Sequence, residues 1–227
     1  MHKITLAILF QAGALLAQTG TASIQGTLSD ATNKKAIAGA FVSAVRSGLP
    51  STSRTATTAA DGGFQIGSLP AGDYSMCIQV PGDGYLNPCQ WSGTATKVTL
   101  AAGQKSTGNV LKAAPGSVLQ VRVDDPGQLL GTKTKDGRDP HLLVGVWGAN
   151  GLFYPLHTGS KDNAGANLQL TVPRDTALKL HVASRDLKIS GANGTTVSSS
   201  GDQQSFQHGS GDSNPKSFKY TITGLVP

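Results

Sequence analysis

Along most of the chain, apolar and polar residues alternate in short runs that break at glycine, proline or Asp-Gly. Strict alternation places every second side chain on one face of an extended strand, so each run is predicted as a half-buried β-strand. The first half gives runs at 23–28, 40–45, 64–66, 74–80, 97–100 and 109–111, separated by turns such as Asp61-Gly62-Gly63, Pro70-Ala71-Gly72-Asp73 and Ala102-Gly103-Gln104. After a short junction at Ala113-Ala114-Pro115-Gly116, further runs follow at 118–123, 142–147, 153–154, 168–173, 178–182 and 218–223. Asn150-Gly151 between two apolar runs is a hairpin signal. Residues 198–214, rich in Ser, Gly, Asp and Gln, show no alternation and are expected to be a mobile loop. No helical period appears between the runs. The pattern predicts an all-β protein with two consecutive sandwich domains, 18–113 and 114–227.

Composition strengthens that reading. All 13 acidic residues are Asp, and the 227-residue chain has 29 Gly and no Glu. A chain without Glu, and rich in Thr, Ser, Val and Gly, is poorly suited to helices. It also has no means of using a Glu as general acid or metal ligand. The net charge is +6, but Lys34, Lys35, Lys133, Lys135, Arg138, Lys216 and Lys219 are scattered and not interleaved with aromatics. A nucleic-acid partner calls for clustered charge and stacking platforms, so none is expected.

Met1-His2-Lys3 is followed by an apolar stretch ending in the small residue Ala17. One positive charge, a short apolar core and a small residue read as a signal peptide over 1–17, cleaved before Gln18. The stretch is too short to span a bilayer, Gln11 interrupts it, and no later segment is apolar enough to span one. The mature chain is therefore expected to be exported, periplasmic or extracellular. Removing Lys3 leaves it with a charge of +5.

Cys77 and Cys89 are the only cysteines. Cys77 falls in an alternating run, and Pro81-Gly82-Asp83-Gly84 reads as a turn centred six residues from each sulfur. A hairpin there places them opposite one another, which in an exported protein favours a disulfide. A metal site is the poorer alternative, because no histidine lies nearby.

Gly26-Thr27-Leu28-Ser29-Asp30 followed by Ile37-Ala38-Gly39-Ala40-Phe41-Val42 resembles the opening of a carboxypeptidase regulatory-like domain. Thr58-Ala59-Ala60-Asp61-Gly62-Gly63-Phe64-Gln65-Ile66, then Leu69-Pro70-Ala71-Gly72-Asp73-Tyr74, resembles that family's central signature, and Gly103-Gln104 fits its last turn. The resemblance covers Thr21 to Leu111 and implies a seven-stranded, transthyretin-like or immunoglobulin-like sandwich, non-catalytic and accessory in role. Its likeness to starch-binding modules raises sugar binding by analogy. Tyr85-Leu86-Asn87-Pro88-Cys89-Gln90-Trp91 departs from the family pattern.

The search for chemistry yields little. His141, His157, His181 and His208 stand 16, 24 and 27 residues apart, so none share a metal-ligand spacing. His181 sits in an alternating run between Leu180 and Val182 and is expected on the solvent side. Asp124, Asp125, Asp136 and Asp139 match no calcium loop; Lys133, Lys135 and Arg138 among them suggest ion pairs in a solvated turn. No Ser has a nucleophile-elbow frame. The chain is not expected to be an enzyme or to hold a cofactor or metal, and a hydrolase is the remote alternative. Four aromatics beside turns are the candidates for ligand contact: Tyr85, Trp91, Trp147 and Tyr154. A ring face matches the apolar face of a pyranose, though each ring also suits a core. The expected partners are a polysaccharide or a protein of the bacterial envelope.

Overall fold

The computed structural model describes residues 20–48, 51–82, 84–91, 95–198, 200–212 and 214–227. The leader assigned to 1–17 lies outside these residues. Seven strands build the first half: β1 (Ala22–Asp30), β2 (Phe41–Arg46), β3 (Thr52–Thr57), β4 (Gly63–Leu69), β5 (Gly72–Gln79), β6 (Thr96–Leu100) and β7 (Lys105–Ala113). They form two sheets, β4-β1-β7 and β3-β2-β5-β6, in which only the β1–β7 pair is parallel. The alternation read from the sequence turns Ile24, Leu28, Val42, Phe64, Tyr74 and Met76 into one shared core.

The residues that resemble the family signature do structural work. Thr58 is buried and donates its hydroxyl to the Ile37 carbonyl (2.7 Å) while accepting the Ala40 N–H (2.9 Å), tying two loops together. Gly62 sits at φ 76°, and a Cβ there meets the Leu28 carbonyl oxygen at 2.3 Å, so the Asp61-Gly62 turn accepts only glycine.

The second half contains β8 (Ser117–Asp124), a 3-10 turn (Leu129–Gly131), β9 (Leu143–Trp147), β10 (Phe153–Pro155), β11 (His157–Asp162), β12 (Gly165–Val172), β13 (Leu178–Ala183), β14 (Leu187–Gly191), β15 (Asp202–Phe206) and β16 (Lys216–Leu225). Its sheets are β11-β12-β8-β16-β14 and β10-β9-β13-β15, packed on a separate core that includes Leu119, Val121, Val146, Leu180, Tyr220 and Ile222. The two halves share one topology. With β11 and β14 set aside as added edges, β8, β9, β10, β12, β13, β15 and β16 repeat β1 to β7 in chain order, sheet order and pairing direction. The repeat includes the parallel pairing of first strand with last.

Three expectations change. The segment 198–214 is not simply a loop, because β15 pairs with β13 along its whole length. Gln203 and Ser205 face outward while the inward side carries Asp202, Gln204 and Phe206, so polar residues on both faces hid the period. The hairpin centred on residue 83 does not form; β5 pairs instead with β6, from Gly72↔Leu100 to Met76↔Thr96. His181 lies on the outward face as expected, with Lys179 and Gln203, but is only 9% exposed because the Phe153 ring covers it.

Candidate functional site

The segment 84–91 leaves the first sandwich and runs onto the second. Residues 84–86 pair with the junction: Tyr85 bridges Pro115, Leu86 N donates to the Ala114 carbonyl (2.9 Å), and Gly116 N donates to that of Gly84 (2.8 Å). The Tyr85 hydroxyl points back and donates to Asp30 Oδ2 at 2.8 Å. Asp30 also accepts the N–H groups of Asn33 and Thr32. These bonds, Asn33's foremost, hold its carboxyl below the usual carboxylate range, and the same contact pushes the Tyr85 hydroxyl up.

Cys77, on β5, and Cys89, in the turn ahead of Trp91, form a disulfide with Cα atoms 5.3 Å apart. The bond therefore fastens this segment to the first sandwich rather than closing a hairpin. Beyond it, Trp91 enters the second core, 7% exposed, with its ring centroid 4.2 Å from that of Tyr154, itself 6% exposed. Two sequence candidates from distant turns thus meet each other, and their rings are occupied by packing. Tyr154's hydroxyl accepts from Asn150 Nδ2 at 2.7 Å.

Trp147 is placed differently. It ends β9 on the outward face of the sheet β10-β9-β13-β15 and is 37% exposed. Across the Asn150-Gly151 hairpin its cross-strand partner is Phe153, whereas Tyr154 pairs with Val146 and faces inward. The Phe153 ring lies over Gly145: a Cβ there falls 2.1 Å from Phe153 Cζ. Phe153 thereby contacts Trp147 (centroids 5.1 Å) and stands edge-on to His181 (6.1 Å, 87°). His181 is buried beneath this ring and against Gly201, and its Nδ1 finds no hydrogen-bond partner among the described residues. Next to the rings, Trp147, Gly148, Ala149, Ala177, Lys179 and Gln203 line an open groove of about 410 Å³.

The remaining polar groups are committed elsewhere. Arg122 holds Asp162 in two bonds (2.7 and 2.9 Å) and Asp124 in a third (2.7 Å), while Lys219 adds a contact to Asp124 (2.8 Å). Asp125 accepts the N–H groups of Leu129 and Leu130, Lys133 pairs with Asp139, and Arg138 with Asp136. The histidines are dispersed. His157 lies on the outer strand β11, the His141 N–H donates to Asp186, and the ring nitrogens of His208 lie by the carbonyls of Gly209 and Asn214. Among the described residues no three His, Cys or Asp side chains gather as a metal site.

Residues 23–111, the span of the first sandwich, match the carboxypeptidase regulatory-like domain family. This half is a carboxypeptidase regulatory-like domain. No curated protein matches the chain. Among solved structures the chain is similar to a Streptococcal ancillary pilin (12% identity, TM-score 0.40, covering 92% of this chain and 63% of that one). It is also similar to a minor pilin of Streptococcus agalactiae (11%, 0.38, 90% and 98%) and to the Bacillus anthracis TIE protein (16%, 0.34, 90% and 34%). The chain thus spans about a third of the TIE protein's length and under two thirds of the ancillary pilin's. No helix among the described residues is long and apolar enough to cross a membrane.

The aromatic face therefore lies outside residues 23–111, on the second sandwich. Sequence reading named Trp147 but not Phe153, Lys179 or Gln203. Hairpin parity about Asn150-Gly151 did not point to Phe153. A turn centred between Asn150 and Gly151 would set position 154 opposite 147, whereas the observed hairpin is centred on Asn150 and sets 153 there, so one residue of register decided which ring joined Trp147.

Proposed function

We propose that the protein is an exported, non-catalytic module of the bacterial envelope or exterior that binds saccharide on the outward face of the sheet β10-β9-β13-β15. One observation carries this reading: Trp147 stands partly exposed on the outward sheet face, braced by Phe153, beside a groove with Lys179 and Gln203 on its walls. A braced indole offers a low-entropy surface for the apolar face of a pyranose, and neighbouring polar side chains suit its hydroxyls. The regulatory-like domain then serves as a rigid support, joined to the binding half by the segment 84–91. Aromatic stacking on a sheet face requires no nucleophile or metal.

The test is binding of residues 18–227 to a panel of soluble and insoluble polysaccharides, read by tryptophan fluorescence and co-sedimentation. Trp91 is buried, so a fluorescence change reports Trp147. The reading expects saturable binding to one polysaccharide class, lost in Trp147→Ala with the fold intact by circular dichroism. Absence of binding across the panel, or unchanged binding by Trp147→Ala, rejects it in favour of a protein partner, to be sought by crosslinking in cells.

A further inference from the structure

The groove beside Trp147 is lined by one cation and no acid. Lys179 is the direct cross-strand neighbour of Trp147 on β9 and of Ser205 on β15. Most basic side chains that line the other grooves of this half are neutralised: Arg122 by Asp124 and Asp162, Arg138 by Asp136, Arg185 by Asp186 and Lys219 by Asp124. Lys179 makes no ion pair among the described residues, although acids are available close by in sequence. Asp202, on the adjacent strand, turns the other way and accepts from Gln204 and the buried Tyr220 hydroxyl. Asp175 is held by the backbone N–H of Ser210.

Resting on the saccharide reading above, we propose that the ligand is an acidic polysaccharide, a chain of uronic acid residues. The ring stacks on Trp147, its carboxylate meets the Lys179 ammonium, and the Gln203 amide donates to a hydroxyl or to the carboxylate. Side chains directly opposite one another on adjacent strands have Cβ atoms about 5 Å apart. The cation therefore sits at the rim of the stacking ring, where the carboxyl of a stacked hexuronate projects. An uncompensated lysine in an acid-free groove favours an anion over a neutral sugar, and the charge of +5 on residues 18–227 works in the same direction during approach.

The experiment compares polygalacturonate with its fully methyl-esterified form, which keeps the ring and removes the charge. The acid is expected to bind about tenfold tighter than the ester, the scale of one hydrogen bond to a charged group. That ratio should collapse in about 0.5 M salt, where the screening length is only a few ångströms. Lys179→Gln is expected to bring the ratio close to one, and Lys179→Arg to restore most of it. Lys179 lies exposed near the start of β13, so both variants should keep the fold. Equal binding of acid and ester, or a ratio unmoved in Lys179→Gln, overturns the acidic ligand while leaving saccharide binding in place. Binding of neither polymer, with another glycan of the panel bound through Trp147, also overturns it. No binding to any glycan defeats the saccharide reading itself.

Discussion

The indole Nε1 of Trp91 donates to the backbone carbonyl of Thr171 at 3.0 Å, although the two residues belong to different sandwiches. Trp91 lies between β5 and β6 of the regulatory-like domain, and Thr171 lies on β12. The side chain that departs from the family pattern is thus a core residue of the neighbouring half, packed against Tyr154 and bonded to the Thr171 carbonyl. Truncation to alanine leaves a large cavity and an unpaired carbonyl. Trp91→Ala is expected to cost about 3–5 kcal/mol in urea unfolding. Trp91→Phe, which keeps part of the packing but not the donor, should cost about 1–3 kcal/mol. A loss under about 1 kcal/mol for Trp91→Ala would show that the second core does not depend on this insertion.

The disulfide and the tryptophan hold the same end of the segment 84–91 to two different sandwiches. Cys77 anchors it to β5, and Trp91, two residues beyond Cys89, anchors it in the second core. Closing a loop of this size is worth about 3 kcal/mol in the chain-entropy model. Replacing both cysteines by serine should therefore cost about 2–3 kcal/mol on its own. In combination with Trp91→Ala the costs should fall short of additive, by about 0.5 kcal/mol or more. Strict additivity in that double-mutant cycle would mean that the two anchors act independently.

What the sequence made legible follows from where strands bury a face. Runs such as 23–28 and 118–123 alternate because one side meets a core, and each lies within an observed strand. The strands not foreseen include β3 and β11, outer strands whose residues are nearly all exposed, so no hydrophobic period exists to be read. The disulfide pairing was readable from compartment and spacing, but its role was not. A twelve-residue separation is the same whether the bond closes a hairpin or pins a segment that leaves for another domain. Trp91 and Tyr154 carry no local mark of burial in a common core, because the contact is long-range. Trp147 and Phe153 were no more legible, because a turn centred between Asn150 and Gly151 would set Tyr154 opposite Trp147 and the observed hairpin differs from it by one residue.

Acid should weaken the ion pairs on the outer surface of the sheet β11-β12-β8-β16-β14. The Arg122 bonds, aided by the Ala164 N–H, draw the Asp162 carboxyl down from 3.8 to about 2, and Lys219 and Arg122 lower that of Asp124. A carboxylate whose folded value is depressed stabilises the fold above its unfolded value. That contribution is lost as pH falls toward the folded one. The urea midpoint is therefore expected to drop as pH falls from about 4 to about 2, with a smaller drop in Arg122→Gln. Both partners of the Arg122–Asp162 pair meet solvent, so the effect should be small beside that of Trp91→Ala. A midpoint with the same acid dependence in Arg122→Gln would place the sensitivity elsewhere.

His181 offers a substitution that should improve the fold. Its ring is buried under Phe153 with Nδ1 unpartnered, and a buried polar atom without a partner costs about 1–3 kcal/mol. Leucine fills much of the same space without that atom. His181→Leu is expected to raise stability by about 1 kcal/mol, measured by urea unfolding at neutral pH. A clear loss would mean that the imidazole has a bonding role in solution.

Gly145 decides where the Phe153 ring can lie on the outward face. The Phe153 ring occupies the position that a side chain at 145 would take, since a Cβ there falls 2.1 Å from Cζ and 2.6 Å from Cε2. Gly145→Ala must therefore turn the ring aside, removing the brace from Trp147 and uncovering His181. Overpacking of this kind costs about 1–3 kcal/mol, which leaves the domain folded if its stability is ordinary. The emission of Trp147 should change with its neighbour, and saccharide binding should weaken as much as in Phe153→Ala, with Trp91 and its core undisturbed. Unchanged binding in both variants would show that Trp147 acts alone and that the braced pair is not the recognition element.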